Sequence, residues 1–230
     1  MSRKTDIEAL LKRADTTLQK ISSEYDKSLY SKTVSADLRI DIKDYFSNLR
    51  SILDYIAHDI VDKYCPNANP KNNLYFPIRA DLNAFTVEMT KSYPDLVTNN
   101  KTVYDILENL QPFKKDENKW LSFFNKLNNE NKHERLVAQT RTETKNVTVT
   151  GQGGGSVSWG SGVTFGSGVS VMGVPIDPRT QLPVPNNIVK TEIVTWVDFH
   201  FEDINVSAIW LTKESLKQIS QIYSDLKNEI

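Results

Sequence analysis

The residues best suited to chemistry lie in one short polar run near the middle of the chain. His133 can take up or release a proton near neutral pH, and Lys132 and Arg135 beside it carry fixed positive charges. RNA cleavage without a metal ion needs this combination, because an imidazole moves the proton while cations stabilise the charge on phosphorus. Asn128 and Asn131 supply amides that could orient a substrate.

A structural explanation of the same run stays open. The residues before it place apolar side chains on one face of a helix, ending at Phe124 and Leu127. The helix either ends near Asn131 or places polar groups where the core should continue. Cations and amides at a helix C-terminus also bind its unpaired carbonyl groups. The run could therefore be a helix cap.

A second group of candidates lies on an earlier and longer helix. Arg50, Asp54 and His58 are spaced i, i+4 and i+8, which places them in one polar stripe. In a functional interpretation Arg50 binds phosphate, His58 carries a proton and Asp54 orients its neighbours. In a structural interpretation they form an exposed salt-bridge ladder.

Other classes of site are disfavoured. Cys65 is the only cysteine and the three histidines are scattered, so we expect neither a metal site nor a cofactor. The glycine-rich stretch has no G-x-G-x-x-G before a helix and no G-K-[ST]. The chain also lacks the G-x-S-x-G elbow of the α/β-hydrolases, which makes a serine hydrolase unattractive.

Composition is that of an ordinary globular protein. The 230 residues are 39% hydrophobic and 25% charged, with a formal net charge of −1. Any nucleic-acid site would therefore be a local patch rather than a property of the whole chain. The charged N-terminal residues and the lack of a long apolar run predict a cytoplasmic protein without a membrane span.

The periodicity predicts an α+β fold in three parts. Residues 1–134 form a helical bundle in which a helix over about 35–64 is the spine, with Leu49, Ile52, Leu53 and Ile56 in the core. Residues 135–211 form an antiparallel β region, including a strand over 204–210. Residues 212–230 form a C-terminal helix, capped by Thr212, that packs back on the body.

The glycines divide the chain sharply, because all nine lie between Gly151 and Gly173. This insert contains a six-residue repeat that begins at Val157, Val163 and Val169. A glycine-rich β-meander or mobile hairpin is one interpretation, and we expect weak hydrogen-exchange protection there. The other is a contact surface that presents Trp159 and Phe165.

Four segments resemble, in the same order, a widespread group of uncharacterised bacterial proteins. They are L-R-S-x-L-D-x-x-A at 49–57, F-P-I at 76–78, L-Q-P-F at 110–113 and L-N-x-x-N-K-H-x-x-L at 127–136. The helical half is also similar to HEPN domains, helical bundles of bacterial toxin–antitoxin and phage-defence systems. Many of those are metal-independent RNases that dimerise to join two R-x(4–6)-H motifs. Here seven residues separate Arg50 from His58. Six residues separate Lys126 from His133, but position 126 is a lysine rather than the arginine of the motif.

The resemblance implies a HEPN-like intracellular domain that binds or cleaves RNA in bacterial defence or toxin–antitoxin conflict. It also implies a homodimer and a protein partner such as an antitoxin. The alternative is a non-catalytic interaction or oligomerisation module. The two differ in the surroundings of the candidate residues: a nuclease needs a histidine close to an arginine in an open groove, whereas an interaction module would have those residues paired or covered.

Overall fold

The computed structural model describes residues 3–31, 33–133, 139–202 and 204–230, without the side chains of residues 30, 130–133, 140 and 194–197. The α+β prediction is confirmed, because helices and antiparallel strands both contribute. The chain divides into two compact units. One contains residues 1–140 and 200–230, and the other contains residues 141–199.

The described residues of the first unit contain seven α-helices. They are α1 (Arg3–Ser31), α2 (Ala36–Tyr64), α3 (Leu82–Ser92), α4 (Leu96–Asn99), α5 (Lys101–Asn109), α6 (Lys119–His133) and α7 (Ala208–Leu226). A short 3-10 turn, Asp116–Asn118, precedes α6. Within the described parts of the chain, none of these helices has the length and hydropathy needed to cross a membrane.

Helix α2 is the spine that the periodicity predicts. Its N-cap is Ser35, whose side chain accepts a hydrogen bond from the amide of Leu38, and Cys65 follows its last turn just before Pro66. The four predicted core residues Leu49, Ile52, Leu53 and Ile56 are all fully buried, which confirms that part of the prediction. Burying a side chain of this size contributes roughly 1.5–3 kcal/mol.

Three helices pack around α2. Helix α1 lies along the side of α2 that carries Asp41 and Asp59, which pair with Lys20 and Arg3 respectively. Because each aspartate is nine residues from Arg50, this side is opposite to Arg50 on the helix. Aromatic contacts of Phe46 join α2 to α6, since its ring centroid is 5.8 Å from that of Phe124.

The third neighbour is α7, and it begins earlier than the sequence predicts. The predicted strand over 204–210 is wrong beyond Ser207, because only Val206–Ser207 is extended and the helix starts at Ala208. Ser207 is the N-cap, and its Oγ accepts from the amide of Trp210. Thr212, predicted as the cap, is fully buried inside the helix and donates to the carbonyl of Ala208. Its own carbonyl accepts a hydrogen bond from the hydroxyl of Tyr45 on α2.

The strands are antiparallel wherever their pairing is described. They are β1 (Gln139–Gly151), β2 (Ser156–Gly160), β3 (Ser170–Val171), β4 (Val174–Asp177), β5 (Leu182–Pro183), β6 (Val189–Phe201) and β7 (Val206–Ser207). One sheet has the order β2-β1-β6-β7 and a second has the order β3-β4-β5. The end of β6 pairs with β7 inside the first unit.

The glycine-rich insert contains a small core of its own. Trp159 on β2 is 6% exposed and clusters with Val147, Val149 and Ile176. Its ring centroid is 5.1 Å from that of Phe165, in an edge-to-face arrangement. The two aromatic residues therefore pack against each other within the second unit, and Trp159 is not presented as an exposed contact surface.

Candidate functional site

A polar cleft of the helical unit lies beside α2 and α6. We call it the Arg50 cleft; its volume is about 610 Å³. It is lined by Lys43, Ser47, Arg50, Ser51, Asp54, Tyr75, Arg79, Asn125, Asn128 and Asn129. The cleft therefore brings together Arg50 and Asp54 from the α2 stripe and Asn128 from the later polar run.

Two of the predicted residues, Arg50 and Asp54, form an ion pair at the floor of the cleft. Arg50 Nε donates to Asp54 Oδ2 at 3.2 Å, and Arg50 Nη2 lies 3.2 Å from Asp54 Oδ1. Both side chains are about four-fifths buried, since 18% and 22% of their surfaces are exposed. Asp54 also accepts a hydrogen bond from the amide of Phe76, and Arg50 donates to the carbonyl of the same residue. The pair thus fixes the backbone of the loop that follows α2.

Arg50 has a further partner on α6. Its Nη1 donates to Asn125 Oδ1 at 3.2 Å, which ties α2 to α6 across the cleft. Its Nε and Nη2 groups donate to Asp54 and to the carbonyl of Phe76. Arg50 therefore ties α2 to α6 and to the loop at Phe76, and its predicted role as a phosphate binder stays a prediction.

The remaining positive charges line the edges of the cleft. Lys43 is a half-buried residue on α2, and no ion pair is described for it within residues 33–133. Arg79 pairs with Glu88 on α3. Burial alone would raise the pKa of Glu88, but hydrogen bonds from Ser92 and Arg79 and the charge of Arg79 outweigh it and lower that pKa. Asp54 is the only carboxylate among the lining residues.

The cleft continues along α6 into an adjoining cavity of about 330 Å³ that contains Lys126. The two cavities share Arg79, Asn125 and Asn129. The amides of Asn125 and Asn129 thus lie between cationic groups on both sides. Asn128 Nδ2 donates to the carbonyl of Phe124, which holds this side chain against its own helix.

His58, the third residue of the predicted α2 stripe, is not among the residues that line the Arg50 cleft. It lines a separate cavity of about 420 Å³ with Asp62, Cys65 and Ser92. Burial, together with the charge of Asp95, raises the pKa of the Cys65 thiol from 9.0 to about 11, so this thiol stays protonated at neutral pH and is a poor nucleophile. No group of three or more metal-ligating side chains occurs in the described parts of the chain.

The polar run around His133 is described only in part. Helix α6 includes the backbone of Asn131, Lys132 and His133, but their side chains and all of Arg135 lie outside the described residues. The helical backbone places residue 132 one turn beyond Asn128. The helix-cap interpretation of this run therefore stays open.

Seven residues that line the cleft were missed by the sequence prediction: Lys43, Ser47, Ser51, Tyr75, Arg79, Asn125 and Asn129. Lys43 lies seven residues before Arg50, so the α2 stripe could have been extended to include it. Tyr75 and Arg79 flank the F-P-I segment that already marked this loop. Asn125 is 75 residues from Arg50, and only the tertiary packing of α6 on α2 reveals their contact.

No protein-family model matches this sequence. Comparison with curated proteins and with solved structures gives no significant match either.

Proposed function

We propose that this protein is a HEPN-like helical domain that binds RNA through the Arg50 cleft. The observation that carries the proposal is the composition of the cleft lining. Lys43, Arg50 and Arg79 contribute positive charge, and the only lining carboxylate, Asp54, is already paired with Arg50. An open site with surplus cations and amide groups suits the charged oxygens of a phosphate backbone.

The charge balance supports phosphate binding even when the internal pairs are counted. Asp54 offsets Arg50, and Glu88 offsets Arg79. Lys43, for which no ion pair is described within residues 33–133, then adds positive charge to the cleft, and Lys126 lines the adjoining cavity. A phosphate backbone following α6 could contact both lysines, with the Asn125 and Asn129 amides between them.

RNA cleavage is the catalytic form of this proposal and depends on His133. The Arg50 cleft as described contains no histidine, because His58 lines the other cavity. The backbone of α6 continues for one further turn from Asn129, which lines the cleft, to His133. In this proposal His133 moves the proton of the 2′-hydroxyl, and Lys132 and Arg135 hold the phosphate.

The experiment that tests the proposal measures binding and cleavage in one sample. Purified protein, freed of any antitoxin, is titrated into a fluorescent single-stranded RNA, and the RNA is then analysed for cleavage with and without a chelator. We expect salt-sensitive binding. If the protein also cleaves, the reaction should survive chelation and leave a 2′,3′-cyclic phosphate. Absence of binding at low salt would contradict the proposed function.

Matched histidine variants locate the catalytic group. His133→Ala should abolish cleavage with little change in melting temperature, whereas His58→Ala should leave cleavage intact because His58 lies in the other cavity. A large loss of stability in H133A would instead support the helix-cap interpretation. If H58A is the inactive variant, the assignment to His133 is wrong.

A non-catalytic interaction or oligomerisation module is the second candidate. The observation in its favour is the pairing of Arg50 with Asp54 and Asn125, since a residue with these partners is not held ready for chemistry. HEPN-like domains associate as homodimers, so a dimer is expected under both candidates. Measurement of the molar mass in solution, with and without RNA, tests that part.

A further inference from the structure

We infer that Tyr75 is a stacking platform for one nucleobase, so the Arg50 cleft takes single-stranded RNA with an unpaired base at this position. The inference rests on the proposed RNA-binding function and adds a subsite to it. Tyr75 is 45% exposed although it lines a cleft of charged and amide side chains. A large aromatic ring left open to solvent among phosphate-binding groups suits the flat face of a base.

Hydrogen bonds fix the backbone of the loop at Tyr75 and at the residue after it. The Tyr75 carbonyl accepts a hydrogen bond of 2.8 Å from the hydroxyl of Tyr93, which is 2% exposed. The next residue, Phe76, is bound through its amide by Asp54 and through its carbonyl by Arg50. A ring on a fixed backbone loses little conformational entropy when a ligand covers it.

Two further residues fix the loop beyond Phe76. Gln111 is fully buried, and its Nε2 donates to the carbonyl of Pro77 at 2.7 Å. Its Oε1 accepts from the amide of Arg79 at 2.9 Å. The buried core thus holds the F-P-I segment from behind, and the exposed Tyr75 beside this segment lines the cleft.

The charge next to the ring also favours a base. The guanidinium carbon of Arg50 lies 5.8 Å from the centroid of the Tyr75 ring. Lys43 and Arg79 line the same cleft as Tyr75, so cations are present there for the phosphates that flank a stacked base. A base inside a duplex cannot reach such a ring, because both of its faces are already stacked on neighbouring pairs.

The test separates stacking from phosphate binding. Fluorescence anisotropy compares a short single-stranded RNA with an oligomer of abasic spacers that carries the same number of phosphates. The wild-type protein should bind the RNA about 5- to 150-fold more tightly than the abasic oligomer. Tyr75→Ala should remove most of this difference, and Tyr75→Phe should retain it because the ring persists. Binding of a duplex of equal length should be insensitive to Y75A.

A second readout covers the case in which Y75A unfolds. A 2-aminopurine base in the RNA loses fluorescence when it stacks on an aromatic ring, so it reports stacking in the wild-type protein and in Y75F directly. Equal affinity for the RNA and the abasic oligomer, or no quenching of 2-aminopurine on binding, would overturn the stacking inference and leave the proposed function standing. Binding of neither oligomer would overturn both.

Discussion

Arg50 and Asp54 stand one turn apart on α2 and bind the same residue from opposite sides, because Asp54 accepts from the amide of Phe76 while Arg50 donates to its carbonyl. Two contacts of 3.2 Å also join them to each other. An ion pair with these shared contacts fixes a loop, and the loop then presents Tyr75 to the cleft. The pair therefore holds the loop of the candidate site in place. Its polar groups are engaged with each other and with Phe76.

Replacement of Arg50 by alanine should destabilise the helical unit. The change leaves Asp54 as a mostly buried carboxylate without its cation and removes the tie to Asn125. Hydrogen bonds to charged groups contribute about 1.5–3 kcal/mol each in favourable cases, so we expect a loss of roughly 2 kcal/mol in the free energy of unfolding. Urea denaturation measures it. Lys12→Ala, at an exposed residue of α1, is the control and should have almost no effect. Equal stability of R50A and wild type would contradict the structural role.

Leu53→Ala should destabilise the core of the first unit. Leu53 is fully buried on α2, so truncation leaves a cavity and should cost about 2–5 kcal/mol. Leu82 on α3 makes a matched control, because it is 51% exposed and its truncation should change the stability by less than about 0.5 kcal/mol. Thermal or urea melts of the two variants give the comparison. Similar losses in both would show that α2 is not the spine of the bundle.

The sequence predicts more of the helical half than of the candidate site. The 3.6-residue periodicity identifies α2 and its core face because each apolar residue is a local signal. By contrast, the sequence predicted Thr212 as the cap of α7, whereas the cap is Ser207. The apolar alternation of the residues before Thr212 resembles a strand, so the start of the helix could not be recognised. The contact of Arg50 with Asn125 depends on how α6 packs on α2, which no local pattern encodes.

Stability should fall as the pH rises from about 9 to about 11. The pKa of Cys65 is raised to about 11 by burial, so the unfolded chain releases this proton at lower pH than the folded chain does. Deprotonation therefore favours unfolding in that window, with a slope of at most about 1.4 kcal/mol per pH unit from this group. Urea melts at several pH values measure the slope, and Cys65→Ala should reduce it between pH 9 and 10. An unchanged slope in C65A would contradict the assignment of the slope to Cys65.

Native Cys65 should also react slowly with iodoacetamide at pH 8.

The rate of hydrogen exchange should differ between two parts of the glycine-rich insert. Residues of β2 pair with β1, with Val157 opposite Val149 and Trp159 opposite Val147, so they should exchange more slowly than the turns. Gly166 and Gly168 have no atoms within 4 Å of where a side chain would begin, and their amides should exchange fast. Mass spectrometry of overlapping peptides measures both, with the urea-unfolded chain as the reference. Uniformly fast exchange from 151 to 173 would show that the Trp159 cluster does not persist in solution.

The most direct test of the account is the salt dependence of RNA binding by a Lys43 variant. Lys43 lines the Arg50 cleft, whereas Lys12 is an exposed lysine on α1, the helix on the opposite side of α2. Lys43→Gln and Lys12→Gln therefore remove the same charge from different sides of the bundle. We predict that K43Q weakens binding of single-stranded RNA and reduces the slope of log K against log salt by about 0.7, one phosphate contact, while K12Q matches the wild type. Equal affinities and slopes for both variants, or no RNA binding by the wild type, would contradict the assignment of the cleft as an RNA site.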